Sequence, residues 1–539
     1  MSTSSIFDSL PGETIVHILL FLSPNEIRKC QQICRLFRSH IKSSAHLQYL
    51  LELDYLGYSV PLRSRSDLGY DEKIRLLREG ADSSEQWLSI PYAKDLDNST
   101  RPFTNCQFAR GVFARGGPIM DITRDIRVFQ LPSLNNNMAY ETWHLSDLGV
   151  DAQEFKIDLD LDLLVLLEVD TSPMDPDTDL VRRFHVRSLR TGLAHPLAEI
   201  PVIVSTDKFS SVSASSSFQI VGKYIALLCS THSLLSPDPP RISVWDWTTG
   251  NLVTRADVPG RSFAFVSDRC FVVQCDRRKW TKEIIGSLEV YTFDPSELGR
   301  RARHVASLHL PTTPDTPCHS AMTFTFAPLS PLSFVPEELI SPTFPRRIYE
   351  LSPFSYHISI RIRAYNIESD PTEMAYGTLL IGATSILNAV TTISEREPPV
   401  HVPWEKWGPN TFWVNNSGGY SGVDQVVGQR AAFMQYNHVL DAWQIVVYDL
   451  GPNAREGVEA SAVQPLDPVG AGLYIERIFA GGHGARSPKV ASVVAIPTQV
   501  IPGNRGFEDA PSFMMDDEHV LLHQIGLQAT RNTLHVYTF

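Results

Sequence analysis

Phe184-His185-Val186-Arg187-Ser188-Leu189-Arg190-Thr191-Gly192 and Ile242-Ser243-Val244-Trp245-Asp246-Trp247-Thr248-Thr249-Gly250 lie 58 residues apart and read alike. In each, an alternating run ends in a Thr-Gly pair. Alternation at period two marks a half-buried strand, and a glycine after it suits a tight turn. The same interval, without a gap, matches Glu199-Ile200-Pro201 to Asp257-Val258-Pro259. Applied backwards, it pairs Val186 with Val128 and Leu189 with Leu131. Further on, Leu288-Glu289-Val290-Tyr291-Thr292-Phe293 has the same look, and Leu310-Pro311 closes its unit.

Each unit reads as a buried strand (Leu163 to Leu167, Tyr224 to Leu228, Cys270 to Val273), a variable loop, the alternating strand, a tight turn, and an outer strand ending at proline. Such a unit cannot bury itself, so copies must pack side by side. Alternating strands are expected at 126–131, 184–189, 242–247, 288–293, Ile358–Tyr365, Trp443–Tyr448 and Thr533–Phe539. Four-stranded units of this kind predict a β-propeller of about seven blades over residues 101–539. Six or eight blades, or packed β-sandwich repeats, are the alternatives. The C-terminal strand is expected to close the ring against residues near 106–115. Trp245-Asp246 resembles the dipeptide of WD40 repeats, but it occurs once and lacks the upstream Gly-His partner, so the resemblance is to a WD40-like propeller.

The whole chain of 539 residues has 47 Lys and Arg against 60 Asp and Glu, a net charge of −13, with 43% hydrophobic residues. That is a globular composition, and its acidity argues against a general nucleic-acid binder. Seven cysteines without a CxxC pair read as buried thiols in a reducing compartment, cytoplasmic or nuclear. The start shows no basic and apolar leader. Met374 to Ser394 is uncharged but too rich in Thr, Ser and Asn for a membrane span, and is expected to be core strand and loop.

Residues 1–50 change texture. Leu10-Pro11-Gly12-Glu13 opens a run with Ile15, Ile18, Leu19 and Leu22 at helical spacing. Ser23-Pro24-Asn25-Glu26 is a capping-box restart, and Ile27, Cys30 and Ile33 continue it. A third run carries Cys34, Phe37 and Ile41. Three short helices cannot make a self-sufficient core, and there are more apolar residues than one inward face needs.

These residues resemble the F-box: Leu10-Pro11-Gly12-Glu13, Ile18-Leu19-Leu20-Phe21-Leu22, then Ile33-Cys34-Arg35-Leu36-Phe37, in order and at the family's spacing. Gly12 and Phe37 depart modestly from the pattern. The resemblance implies binding to the adaptor Skp1 and, through it, a cullin-based ubiquitin ligase. The residues it assigns to that contact are Leu10, Pro11, Ile15, Ile18, Leu22, Ile27, Ile33, Cys34 and Phe37, some of which must instead hold the helices together. The expected architecture is α+β: an F-box over 1–45, a helical linker over 46–100, then the all-β propeller.

No catalytic constellation stands out. Asp158, Asp160 and Asp162 lack the glycine and glutamate of a calcium loop and read as an amphipathic strand. Gly481-Gly482-His483-Gly484 lacks the lysine of a phosphate cradle and reads as a turn. No metal or cofactor is expected. Loops between second and third strands are the candidate recognition elements, one acidic (Asp175, Asp177, Asp179) and one basic and aromatic (Arg277, Arg278, Lys279, Trp280, Lys282). From the latter, Arg277, Arg278 and Trp280 are the expected target contacts. Trp404, Trp407 and Trp413 read as blade core. The expected function is a non-catalytic adaptor presenting an unknown target protein. A Skp1-bound scaffold outside a ligase and a propeller hydrolase with a helical cap are the alternatives.

Overall fold

The computed structural model describes residues 10–82, 88–90, 105–117, 122–133, 137–170, 180–205, 214–231, 239–275, 286–311, 318–324, 339–341, 346–366, 374–391, 398–415, 425–437, 442–451, 485, 489–495, 512–524 and 533–538. The chain opens with α1 (Gly12–Leu19), α2 (Pro24–Ile33), α3 (Arg35–Ser43), α4 (Ala45–Tyr55) and α5 (Tyr70–Asp82). After them, the described strands form seven sheets of four or five strands, arranged as a β-propeller.

Sheet 1 holds Cys106–Ala109, Val112–Gly116, Ile126–Gln130 and Glu141–Leu145; sheet 2 holds Ala152–Asp158, Leu163–Asp170, Val181–Ser188 and Val202–Ser205. Sheet 3 holds Ala214–Val221, Tyr224–Thr231, Arg241–Asp246 and Leu252–Asp257; sheet 4 holds Phe263–Ser267, Cys270–Cys275, Ser287–Thr292 and Arg303–His309. Sheet 5 is Cys318–Phe324, His357–Asn366, Met374–Gly382 and Thr411–Asn415, and sheet 6 is Gln425–Val427, Arg430–Asn437, Ala442–Asp449 and Lys489–Ala495. Sheet 7 runs Ser512–Met515, His519–Gln524, Thr533–Thr538 and then Leu88–Ile90.

The alternating residues of neighbouring sheets meet in apolar clusters. Leu163, Val165 and Phe184 of sheet 2 pack on Phe218, Ile225 and Trp245 of sheet 3. Cys106, Phe113 and Leu131 of the first unit pack on Leu521 and Val536 of the last, which closes the ring. A polar clamp doubles that seam. Asp516 of sheet 7 accepts from the Gly111 N–H, and His519 bonds the Pro132 carbonyl through Nε2 at 3.1 Å.

Several expectations change. The ring-closing strand is Leu88–Ile90, not residues 106–115: Leu88 pairs with Thr538 and Ile90 with Val536. The earlier segment belongs to sheet 1, because its own hairpin pairs Cys106 with Arg115. Ile358–Tyr365 lies in a second strand, and the third of that sheet is Met374–Gly382. The described part of that uncharged stretch, residues 374–391, is therefore strand followed by α6 (Ala383–Val390) rather than strand and loop, with Ala383 and Ile386 buried. Asp158 ends a strand, and residues 159–162 form a turn rather than continuing it, with Asp162 at φ 54°. In sheet 2 the outer strand begins after Pro201 instead of ending there. Trp404, Trp407 and Trp413 are core between sheets 4 and 5.

Sheets 3 and 4 each gain a fifth strand on the outer edge, laid parallel: Arg300–Arg301 beside Leu252–Asp257, and Val400–Val402 beside Arg303–His309.

Candidate functional site

The helical module is built as its capping signals dictate. Ser23 and Glu26 make a reciprocal capping box: the Glu26 N–H donates to Ser23 Oγ at 3.4 Å, and the Ser23 N–H donates to Glu26 Oε2 at 2.8 Å. The Ser23 bonds hold the Glu26 carboxyl below its ordinary range. Cys34 caps α3, its Sγ accepting from the Phe37 N–H at 3.5 Å, and Ser44 caps α4. Pro11 caps α1 without a side-chain bond and leaves Gly12 as the first helical residue.

Ile15, Leu19, Ile27, Ile41 and Leu47 fill the module's interior. Of the residues assigned to Skp1 by resemblance, Ile15 and Ile27 are thus inside, holding helices to one another. Leu10, Leu22 and Phe37 are half-buried around that core. Pro11, Ile18, Ile33 and Cys34 face water. Phe21 lies in the Ile18–Leu22 run of the motif but is not among the residues the resemblance assigns to Skp1. It is 79% exposed, and Ile33 is 68% exposed. Its signal was positional, since it falls off the Ile15–Leu19–Leu22 stripe.

The module does not hang from a tether. Helix α4 is apolar on two sides: Leu47, Leu50 and Leu51 pack into the first core, while Tyr49 and Leu53 pack with Ile74 and Leu77 of α5 and with Ile348 and Tyr349. Arg28 of α2 pairs with Asp54 at 2.7 Å, and Arg78 of α5 pairs with Glu52 at 3.1 Å. Beyond α4, Tyr58–Ser59 pairs antiparallel with Glu350–Leu351, and Arg63 donates to the carbonyls of Ser341 and Ile340 at 2.7 and 2.9 Å.

That partner segment, residues 339–341 and 346–356, crosses one end of the ring. It touches the turns between first and second strands in several sheets. Arg347 pairs with Asp160 of sheet 2 at 3.0 Å, and Arg110 of sheet 1 pairs with the same carboxylate. Tyr349 donates to Glu518 of sheet 7 at 3.2 Å, and Tyr356 to the Phe265 carbonyl of sheet 4 at 3.2 Å. Gln429 of sheet 6 donates to Ser355 at 3.1 Å. Burial pulls the Arg110 guanidinium down to about 10 and pushes the Asp158 and Glu350 carboxyls up. Charges taken out of water in this way add little net stability, but they tolerate few alternative geometries. The second strands end, and the third strands begin, at the opposite end of each sheet. Arg277, Arg278, Lys279, Trp280 and Lys282, with Asp175, Asp177 and Asp179, lie outside the described residues, as do Gly481 to Gly484.

Residues 7–47 match the F-box-like family. No curated protein matches the chain. Among solved structures, the WD40 domain of SCAP from fission yeast is 8% identical, covering 84% of this chain and 98% of that one, with a TM-score of 0.31. Apo AztD from Citrobacter koseri is 10% identical over 64% of this chain and 83% of its own, with a TM-score of 0.27. Hsv2 from Kluyveromyces lactis is 9% identical over 71% and 96%, with a TM-score of 0.20. The chain is thus an F-box-like segment followed by a β-propeller. Among the described residues no helix is long and apolar enough to cross a membrane.

Proposed function

We propose that this chain is the substrate-recognition adaptor of a Skp1–cullin–F-box ubiquitin ligase, acting without catalytic residues of its own. One observation carries the reading. The F-box-like helices have a filled interior and still leave Ile18, Phe21 and Ile33 in water. Three bulky apolar side chains left exposed on so small a module point to a partner surface. Pro11, Cys34 and the half-buried Leu10, Leu22 and Phe37 would complete it. Ile15 and Ile27 would act by fixing the helix angles.

The adaptor works by proximity, raising the local concentration of a bound target at the ligase. A stiff joint helps, because a wandering propeller would dilute that effect. Arg277, Arg278 and Trp280, which follow the second strand of sheet 4 in sequence, are the residues proposed to contact the target.

The test is co-purification of Skp1 with the full chain, with Leu10→Ala/Pro11→Ala, with Phe21→Asp/Ile33→Asp, and with residues 1–45 deleted. The full chain retains Skp1 and the three variants lose it. A full chain that fails to bind Skp1 refutes the reading. A cullin pull-down from the same complex then separates a ligase component, which brings the cullin down, from a scaffold, which does not.

A further inference from the structure

Twelve large apolar residues are exposed among the described ones, and five of them fall within 193–204: Leu193, Leu197, Ile200, Val202 and Val204. Leu193 is 71% exposed and Val204 48%. This stretch is held in place. His195 is buried, with Nε2 at 2.9 Å from the Leu161 carbonyl and its ring edge-on to Trp247. The Glu199 N–H donates to the Thr248 carbonyl at 2.7 Å.

The stretch ends in the outer strand of sheet 2, and at Val202 and Val204 no described strand lies beside its far edge. Val202–Ser205 pairs with the strand of His185 on one side and with no described strand on the other. The Val186 N–H donates to the Pro201 carbonyl at 2.8 Å, which makes that a hydrogen-bonded pair. Opposed residues alternate along an antiparallel ladder, so the N–H and C=O groups of Val202 and Val204 point outward. An edge with exposed apolar side chains and no described strand beside it is what folded proteins ordinarily avoid.

The next two sheets show what such an edge takes. Both receive a parallel fifth strand supplied by the connection between the third and fourth strands of the following sheet: Arg300–Arg301 from near sheet 4, and Val400–Val402 from sheet 5. For sheet 2 the corresponding connection is residues 247–251 of sheet 3. It is a tight turn, closed by the Gly250 N–H on the Asp246 carbonyl, and it reaches only Glu199 and Ile200. That length of chain cannot lay a strand along Val202–Ser205.

We propose that the outer edge of sheet 2 binds an extended segment of a partner protein, added as a parallel fifth strand with its apolar side chains on Val202, Val204 and Ile200. Backbone pairing supplies affinity, and the alternate apolar positions supply specificity. This surface is independent of the F-box-like helices.

The test selects linear peptides from a phage-displayed random library on the full chain. Selected peptides are then synthesised and titrated against the full chain, Val204→Pro and Val204→Lys. Proline at 204 removes an outward N–H while leaving the pairing with the inner strand. The expected peptides carry apolar residues at alternate positions and slow hydrogen exchange at Val202 and Val204. Val204→Pro weakens binding about fivefold to tenfold, the scale of one lost hydrogen bond, and Val204→Lys, which keeps the N–H, weakens it by side-chain mismatch. If proline impairs folding, seen by circular dichroism, the lysine variant and the exchange protection decide. Peptides that bind both variants as tightly as the parent, or that leave these amides unprotected, overturn the proposal. So does failure to select any peptide. A full chain that dimerises alone and is made monomeric by Val204→Lys also overturns it, with a second copy as the occupant.

Discussion

Sheets 2 and 3 are two copies of one sequence pattern, and they differ where the pattern stops. At equivalent positions the Gly192 N–H donates to Ser188 and the Gly250 N–H to Asp246, both at 2.8 Å. Leu189 and Trp247, one interval apart, are both fully buried. The ties to the first turn are swapped in character: Ser188 donates to Asp162 at 2.6 Å, while Asp246 pairs with Lys223 at 3.1 Å. The outer strands then diverge. In sheet 3 the strand follows the turn at once and is covered; in sheet 2, residues 189–201 intervene and no described strand covers the edge. Ile200 is exposed, whereas its counterpart Val258 is buried. Inner strands repeat because their own alternation buries them. An outer edge depends on what distant chain is long enough to reach it.

Breaking the shared core should have the largest effect. Trp247 is fully buried, donates to the Gly222 carbonyl at 3.0 Å, and meets His195 of the neighbouring unit. Trp247→Ala is expected to cost about 3–5 kcal/mol, measured by denaturant unfolding. Asp160→Asn strips the charge facing Arg110 and Arg347 from the first turn of sheet 2, and a cost of about 3 kcal/mol is expected. Limited proteolysis should also show α4 and α5 loosened, because Arg347 belongs to the segment that holds them. The same change at Asp246, whose partner Lys223 is more exposed, is expected to matter less.

A finer test concerns the two turns. Both glycines have positive φ, 71° at Gly192 and 73° at Gly250. An added Cβ would lie 2.9 Å from Ile200 at Gly250, but no closer than 3.5 Å to any neighbour at Gly192. Each alanine should cost about 1–2 kcal/mol for the left-handed backbone, with the larger loss at Gly250→Ala. Adding Ile200→Gly, which removes the Cβ that the new methyl would meet, should remove the difference and leave the Gly192→Ala effect unchanged.

The smallest effect is in pH. The His195 Nδ1 accepts from the Leu197 N–H at 3.2 Å, so the ring's proton sits on Nε2 and faces the Leu161 carbonyl. Burial lowers its pKa below 6.5. The unfolded chain therefore takes up the proton first. Stability is full above about pH 6.5 and falls as pH drops through the folded pKa. Melting temperature between pH 7.5 and 5.5, compared with His195→Gln, should show a slope that the variant flattens at that seam.

Short-range pattern made the strands and the F-box-like helices legible. Alternation placed a strand at each of the seven expected stretches, and Ser23 to Glu26 marked the restart of α2, because both signals lie within a few residues of what they control. The exposure of Phe21 is not legible in the motif, since it depends on how the three helices close on each other.

Rank within a sheet was not legible. Ile358–Tyr365 had the right alternation for a strand, but only its neighbours made it second. Asp160 looked like one of three spaced acids until Arg110 and Arg347 arrived from elsewhere in the chain. The ring closes through Leu88–Ile90, far from Thr538 in sequence, and no described strand lies along the outer edge of sheet 2, residues 247–251 being too short to run beside it. The sequence by itself determined which residues alternate, cap and turn, because backbone geometry and side-chain burial act locally. Which strands meet, which charges pair and which outer edges gain a fifth strand were settled by the packed fold, because those depend on the reach of chain that is remote in sequence.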